Sequence, residues 1–104
     1  MDPQAPGPGP FTVYVDDNFH YRDEAYRTRD GSYADCAAAI ARCKEIVDDS
    51  LRHLYRAGMA ADELLRLYQS FGDDPWIASP DAGCRFSAWE HARERCEALC
   101  GRKA

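Results

Sequence analysis

The sequence predicts an α+β fold in the order ββααβα, a small antiparallel sheet of about three strands with amphipathic helices packed on one face. Three observations point there. Phe11, Val13 and Val15 alternate with Thr12, Tyr14 and Asp16, the period of a half-buried strand. Apolar residues recur at spacings of three and four from Cys36 to Leu54, the stripe of an amphipathic helix. Ser87-Ala88-Trp89-Glu90 is a capping box, the mark of a helix start. A chain of 104 residues holds one such domain.

Each element follows from local chemistry. Residues 1–10 hold four of the six prolines, which suits a disordered Pro/Gly tail, and the folded domain is assigned to residues 11–101. The first strand leads into a polar and aromatic connection. A second alternating run, Ala25-Tyr26-Arg27-Thr28-Arg29, closes a hairpin and stops at the turn signal Asp30-Gly31. The first helix covers about residues 36–55 behind an Asp35 N-cap, and Gly58 permits its stop. The second covers about residues 61–71, with Leu64, Leu67, Tyr68 and Phe71 on its inner face. Asp73-Asp74-Pro75 reads as a turn into a short edge strand at Trp76-Ile77-Ala78. The last helix buries Trp89, Ala92, Cys96, Leu99 and Cys100, ends at Gly101 and leaves a basic end over residues 102–104.

Composition excludes several functions. The net charge of −5 repels phosphate backbones, so nucleic acid is not an expected partner. No apolar run approaches the ~20 residues that cross a bilayer, so no membrane is expected either. The N-terminus lacks a basic segment followed by an apolar one, which gives the expectation of a cytoplasmic protein. Five cysteines are present without a Cys-x-x-Cys pair. Cys36 and Cys43 lie about 10.5 Å apart along one helix, too far to bond to each other. Cys36, Cys43, Cys96 and Cys100 fall on helix stripes, so the cysteines read as reduced packing residues.

The run Val13-Tyr14-Val15-Asp16-Asp17-Asn18-Phe19-His20-Tyr21 resembles the start of a family of small bacterial proteins. Ile46-Val47-Asp48, Ser70-Phe71-Gly72-Asp73-Asp74-Pro75 and Phe86-Ser87-Ala88-Trp89 resemble further segments of it. The resemblance covers nearly everything after the tail. It implies a bacterial protein and carries no activity with it.

The candidate site is the hairpin spanning residues 14–26, with Asp16, Asp17, Asn18, His20 and Tyr21 between Tyr14 and Tyr26. Asp and Asn close turns by bonding their own backbone, and the same groups can meet a ligand or a partner. Tyrosines suit half-buried contact surfaces. If Tyr14 and Tyr26 share the outer sheet face, they make an aromatic patch open to a protein partner or to a second copy. The expectation is therefore a small non-catalytic interaction or ligand-recognition module, a homodimer included. The alternative is a small metal-dependent or acid–base enzyme using Asp16, Asp17, His20 and Asp73. The calcium-loop pattern, the nucleophile elbow and the phosphate-binding glycine loop are missing, so no cofactor, resident metal or catalytic residue is assigned. His53 and His91 are assigned to solvent-facing helix positions.

Overall fold

The computed structural model describes residues 9–20 and 23–101. The tail over 1–8, Tyr21 and the basic end over 102–104 lie outside the described residues. Strand β1 (Phe11–Asp17) pairs antiparallel with both β2 (Thr28–Tyr33) and β3 (Asp73–Ala78), giving the order β2-β1-β3. Helices α1 (Cys36–Leu54), α2 (Ala61–Phe71) and α3 (Ala88–Cys100) complete the ββααβα order expected. Alternation along β1 turns Val13 into a core shared with Ala39, Cys43 and Ile46 of α1, while Phe11, Val15 and Ile77 pack around it. A second core joins the helices: Val47 and Leu51 of α1, Leu64 and Tyr68 of α2, and Ala88, Ala92 and Cys96 of α3. Phe86 touches both cores and links them.

Both expected caps are present. The Asp35 carboxylate accepts the Ala38 N–H at 2.8 Å, and the Ser87 hydroxyl accepts the Glu90 N–H at 3.2 Å. Gly58, with φ +84°, takes the left-handed turn after α1 that a side chain would resist.

Several expectations need correction. The second strand begins three residues later than the alternation suggested, and Ala25 and Tyr26 sit in a 3-10 turn (Glu24–Tyr26). Asp30-Gly31 is no turn. It lies inside β2 as a bulge, where Val13 faces Gly31 and Tyr14 faces Arg29, leaving Asp30 as the extra residue. The bulge re-aims Asp30 toward α1, where Arg42 donates to its carboxylate at 3.0 Å and the Tyr33 hydroxyl at 2.8 Å. Asp73-Asp74-Pro75 is likewise strand: Asp73 faces Asp17, Asp74 faces Asp16, and Pro75 faces Val15. Proline is tolerated because β3 is an edge strand, whose outer N–H groups bond nothing in the sheet. Trp89 stays 38 % exposed, and the buried face of α3 is carried by Ala88, Ala92 and Cys96 instead. His91 is not a solvent residue; its Nε2 meets the Asp48 carboxylate at 3.0 Å, beside Arg95 at 3.1 Å, tying α3 to α1.

The cysteines divide differently from the packing expectation. Cys36, at the start of α1, is joined by a disulfide to Cys84 in the loop before α3, 48 residues on. The bridge ties that loop, with Phe86 inside it, to the helix that covers the sheet. Closing a loop of this length stabilises by about 4 kcal/mol on the chain-entropy account. Cys43 and Cys96 are buried thiols, and burial pushes them up to about 12 and about 11, where little nucleophilic thiolate forms. Cys100 is half-buried. Protein alkylated without reductant should therefore label mainly at Cys100 when native. It should show three thiols once unfolded and five after reduction, read by mass spectrometry. Five thiols in unfolded protein that has met no reductant would mean that the bridge does not form.

Candidate functional site

The site is built where β1 runs out. Asn18 turns the chain into a 3-10 turn (Asn18–His20), and the amide at this position is committed to the fold. It is buried at 6 % exposure; its side chain donates to the Tyr68 carbonyl at 2.9 Å, and its backbone N–H donates to the Gly72 carbonyl at 3.0 Å. Gly72 has to be glycine, since a Cβ there would collide with the Tyr68 ring. Asn18 thus joins the end of β1 to the end of α2, and its side chain is not on offer to a partner.

The neighbouring positions face outward. Asp17 accepts the Phe19 N–H at 2.9 Å, an Asx turn, and its other oxygen lies 2.9 Å from His20 Nδ1. His20 stacks flat on Tyr26, with centroids 3.6 Å apart and planes 5° apart. Phe19 meets the His20 ring edge-on at 4.9 Å and stacks on Phe71 at 5.5 Å. The four rings Tyr26, His20, Phe19 and Phe71 form a continuous row on the surface. Phe19 is 61 %, Phe71 54 % and Tyr26 48 % exposed. The rings already gain from stacking on one another, and the area still bare would gain more if it were covered.

The structure splits the two tyrosines expected on one patch. Tyr26 belongs to the ring row, whereas Tyr14 lies on the outer sheet face and stacks on Trp76 at 5.1 Å. Arg27 sits over the Trp76 ring at 5.0 Å and donates to Asp16 at 2.7 and 3.2 Å. That face is thus partly closed by its own side chains.

Four carboxylates meet at the end of the sheet. The register sets Asp16 against Asp74 and Asp17 against Asp73, like charges directly across antiparallel strands. Arg27 pairs with Asp16 and His20 with Asp17. Burial, and then the Asp16 charge, push Asp74 up to about 6. Asp73 is raised too, by burial and then by Asp17, with His53 opposing. A cleft of about 490 Å³ opens beside them, lined by Asp16, Asp17, Asp73, Tyr26, Thr28, Asp30 and Arg42. Asp16, Asp17, His20 and Asp73 are therefore neighbours, as the enzyme alternative requires. Among the described residues, however, no three His, Cys, Asp or Glu side chains are grouped to hold a metal ion.

Sequence reasoning assigned Phe71 to the inner face of α2 and gave Trp76 no place on the outer sheet face. Phe71 fits the stripe of α2 by period, but it is the last residue of that helix and projects past the core. No family model, curated protein or solved structure matches the chain.

Two outcomes follow. Asn18→Ala should cost about 1–2 kcal/mol, the scale of losing a buried hydrogen bond, while His20→Ala should stay within about 0.5 kcal/mol, as at ordinary surface sites. Equal midpoints in urea would mean that the junction at Asn18 holds nothing. The raised Asp74 carries a pH dependence. A carboxyl raised in the native state binds its proton more tightly there than in the unfolded chain, so it opposes folding as pH rises from about 4 to about 7. Asp74→Asn should therefore raise the melting temperature at pH 7.5 and change it little at pH 4. The same gain at both pH values would mean that the Asp74 carboxyl is not raised by its burial and by the Asp16 charge.

Proposed function

We propose that this chain is a small non-catalytic recognition module that binds a protein partner, a second copy included, through the hairpin spanning residues 14–26. The observation that carries this reading is the exposed row Tyr26–His20–Phe19–Phe71. The row is held rigid by the Asx turn at Asp17 and by the buried Asn18, so little ordering entropy remains to oppose binding. Aromatic anchors on a preorganised element are the usual centre of a protein interface. Asp16, Asp17, His20 and Tyr26 belong to this surface or to its rim. Asn18 acts by positioning them, and Tyr14 serves the outer sheet face.

A second reading keeps one observation of its own. Asp17 orients the His20 imidazole, and Asp73 faces Asp17, an arrangement that acid–base chemistry could use. Against it, the ring is stacked flat on Tyr26, and of the cleft's lining only Thr28 carries an aliphatic hydroxyl. Stoichiometric metal in purified protein, or hydrolytic turnover lost in His20→Ala, would move the assignment to this reading.

The resemblance of the Val13-to-Tyr21 run supports a bacterial source. No helix among the described residues is long and apolar enough to cross a membrane. The expectation of a cytoplasmic protein and the Cys36–Cys84 bridge pull in opposite directions, since thiol buffers keep cytosolic cysteines reduced.

Sedimentation velocity of wild type, Phe19→Ser and Phe71→Ser tests the recognition reading, with capture of partners from an extract alongside it. Both variants should keep the wild-type melting temperature within about 2 °C, because the rings lie outside the core. Both should lose whatever association the wild type shows. Association unchanged in both variants would sink the proposal.

A further inference from the structure

The ring row does not stand alone on the surface; it is bordered by carboxylates. Asp17 touches His20 within the row, Asp73 follows Phe71 by two residues and faces Asp17 across the strands, and Asp23 and Glu24 lead into the turn that carries Tyr26. Of the cationic groups nearby, Arg27 lies on Asp16, the His20 ring is held between Asp17 and Tyr26, and His53, which acts on Asp73, has its Nδ1 on the Asp49 carbonyl. Asp17, which already holds His20 and the Phe19 N–H, faces the like charge of Asp73 across the strands, beside exposed aromatic faces. Two strands would not gain by pairing this way in isolation, since like charges directly opposite destabilise a sheet.

This combination selects a partner chemistry. A guanidinium lies flat on an aromatic face and presents its N–H groups sideways to carboxylates. A cation seated between Asp17 and Asp73 would relieve their repulsion, which an apolar or acidic partner cannot do. The net charge of −5 would also steer a basic segment toward the protein before contact. We infer that the ring row Phe71–Phe19–His20–Tyr26 with Asp17 and Asp73 docks an arginine-rich basic segment of a protein partner. The inference rests on the recognition reading above and names the partner's chemistry. Arginine side chains would stack on Phe19 and Phe71, and the carboxylates would accept their N–H groups.

The probe is a fluorescein-labelled peptide with four arginines spaced by Gly and Ser, titrated with the full chain and followed by anisotropy. Matched peptides carrying lysine or glutamate at the same positions accompany it. The arginine peptide should bind most tightly, the lysine peptide more weakly, and the glutamate peptide not measurably. Phe19→Ser should weaken the arginine peptide about tenfold, between the scales of an exposed and a desolvated cation–π contact. Asp17→Asn combined with Asp73→Asn should weaken it at least as much and flatten its salt dependence. Trp89→Ser, an exposed ring on α3 outside the row, should leave binding unchanged, and thermal melts confirm that each variant is folded. Equal binding of arginine and glutamate peptides, or an arginine affinity indifferent to Phe19→Ser, overturns the inference. If no basic peptide binds while Phe19→Ser still abolishes self-association, the recognition reading stands and the basic partner falls. If neither peptide binding nor association responds to Phe19, both fall.

Discussion

The surface described above depends on one junction. At Asn18 the central strand leaves the sheet, and two hydrogen bonds, to the Tyr68 and Gly72 carbonyls, fasten that point to the last turn of α2. The same turn of helix delivers the chain into β3, whose Asp73 N–H donates to Ser50 of α1 while its carbonyl accepts the Tyr68 hydroxyl. Three elements are thus locked within a few residues of one another. Phe19 is brought beside Phe71, and Asp17 beside Asp73, because their backbones have no other course. The ring row is a consequence of a buried amide that touches no ligand itself.

The junction also explains why like charges are tolerated. β1 is the central strand of the sheet, and its register is fixed by Val13 entering the core with α1. Slipping β3 by one residue would separate the aspartates, but it would also turn Ile77 out of the core and Trp76 into it. Burying the apolar side chains outweighs the repulsion of charges that water and Arg27 partly screen.

Much of the fold was legible because it rests on local rules. Helix periods, the Asp35 and Ser87 caps and the alternation of β1 each depend on residues within one or two turns of chain, and the structure reproduces them. What could not be read depends on distant pairing. Asp30-Gly31 carries a real turn signal, yet the chain runs through it as a bulge in the strand, and only the partner strand decides between them. The Cys36–Cys84 bridge joins positions that nothing in their own neighbourhoods links. Phe71 obeys the helix stripe to the last residue, where the stripe has already left the core.

The candidate hairpin was legible as a region and not as a set of roles. Sequence density marked Asp16 to His20 as unusual, and all of them do lie at one junction. Their division is tertiary. Asn18 points inward because α2 offers it carbonyls, Asp16 is drawn to Arg27 on the outer face, and Asp17 remains with His20 at the surface. A strand alternates its side chains between two faces, and this chain gives each face a separate task. The inner face builds the core and its junction, the outer face closes on Tyr14, Trp76 and Arg27, and the surplus chemistry collects at the strand's end. The surface there can vary at Phe19, Asp17 and Asp73 while Val13 and Asn18 keep the fold unchanged.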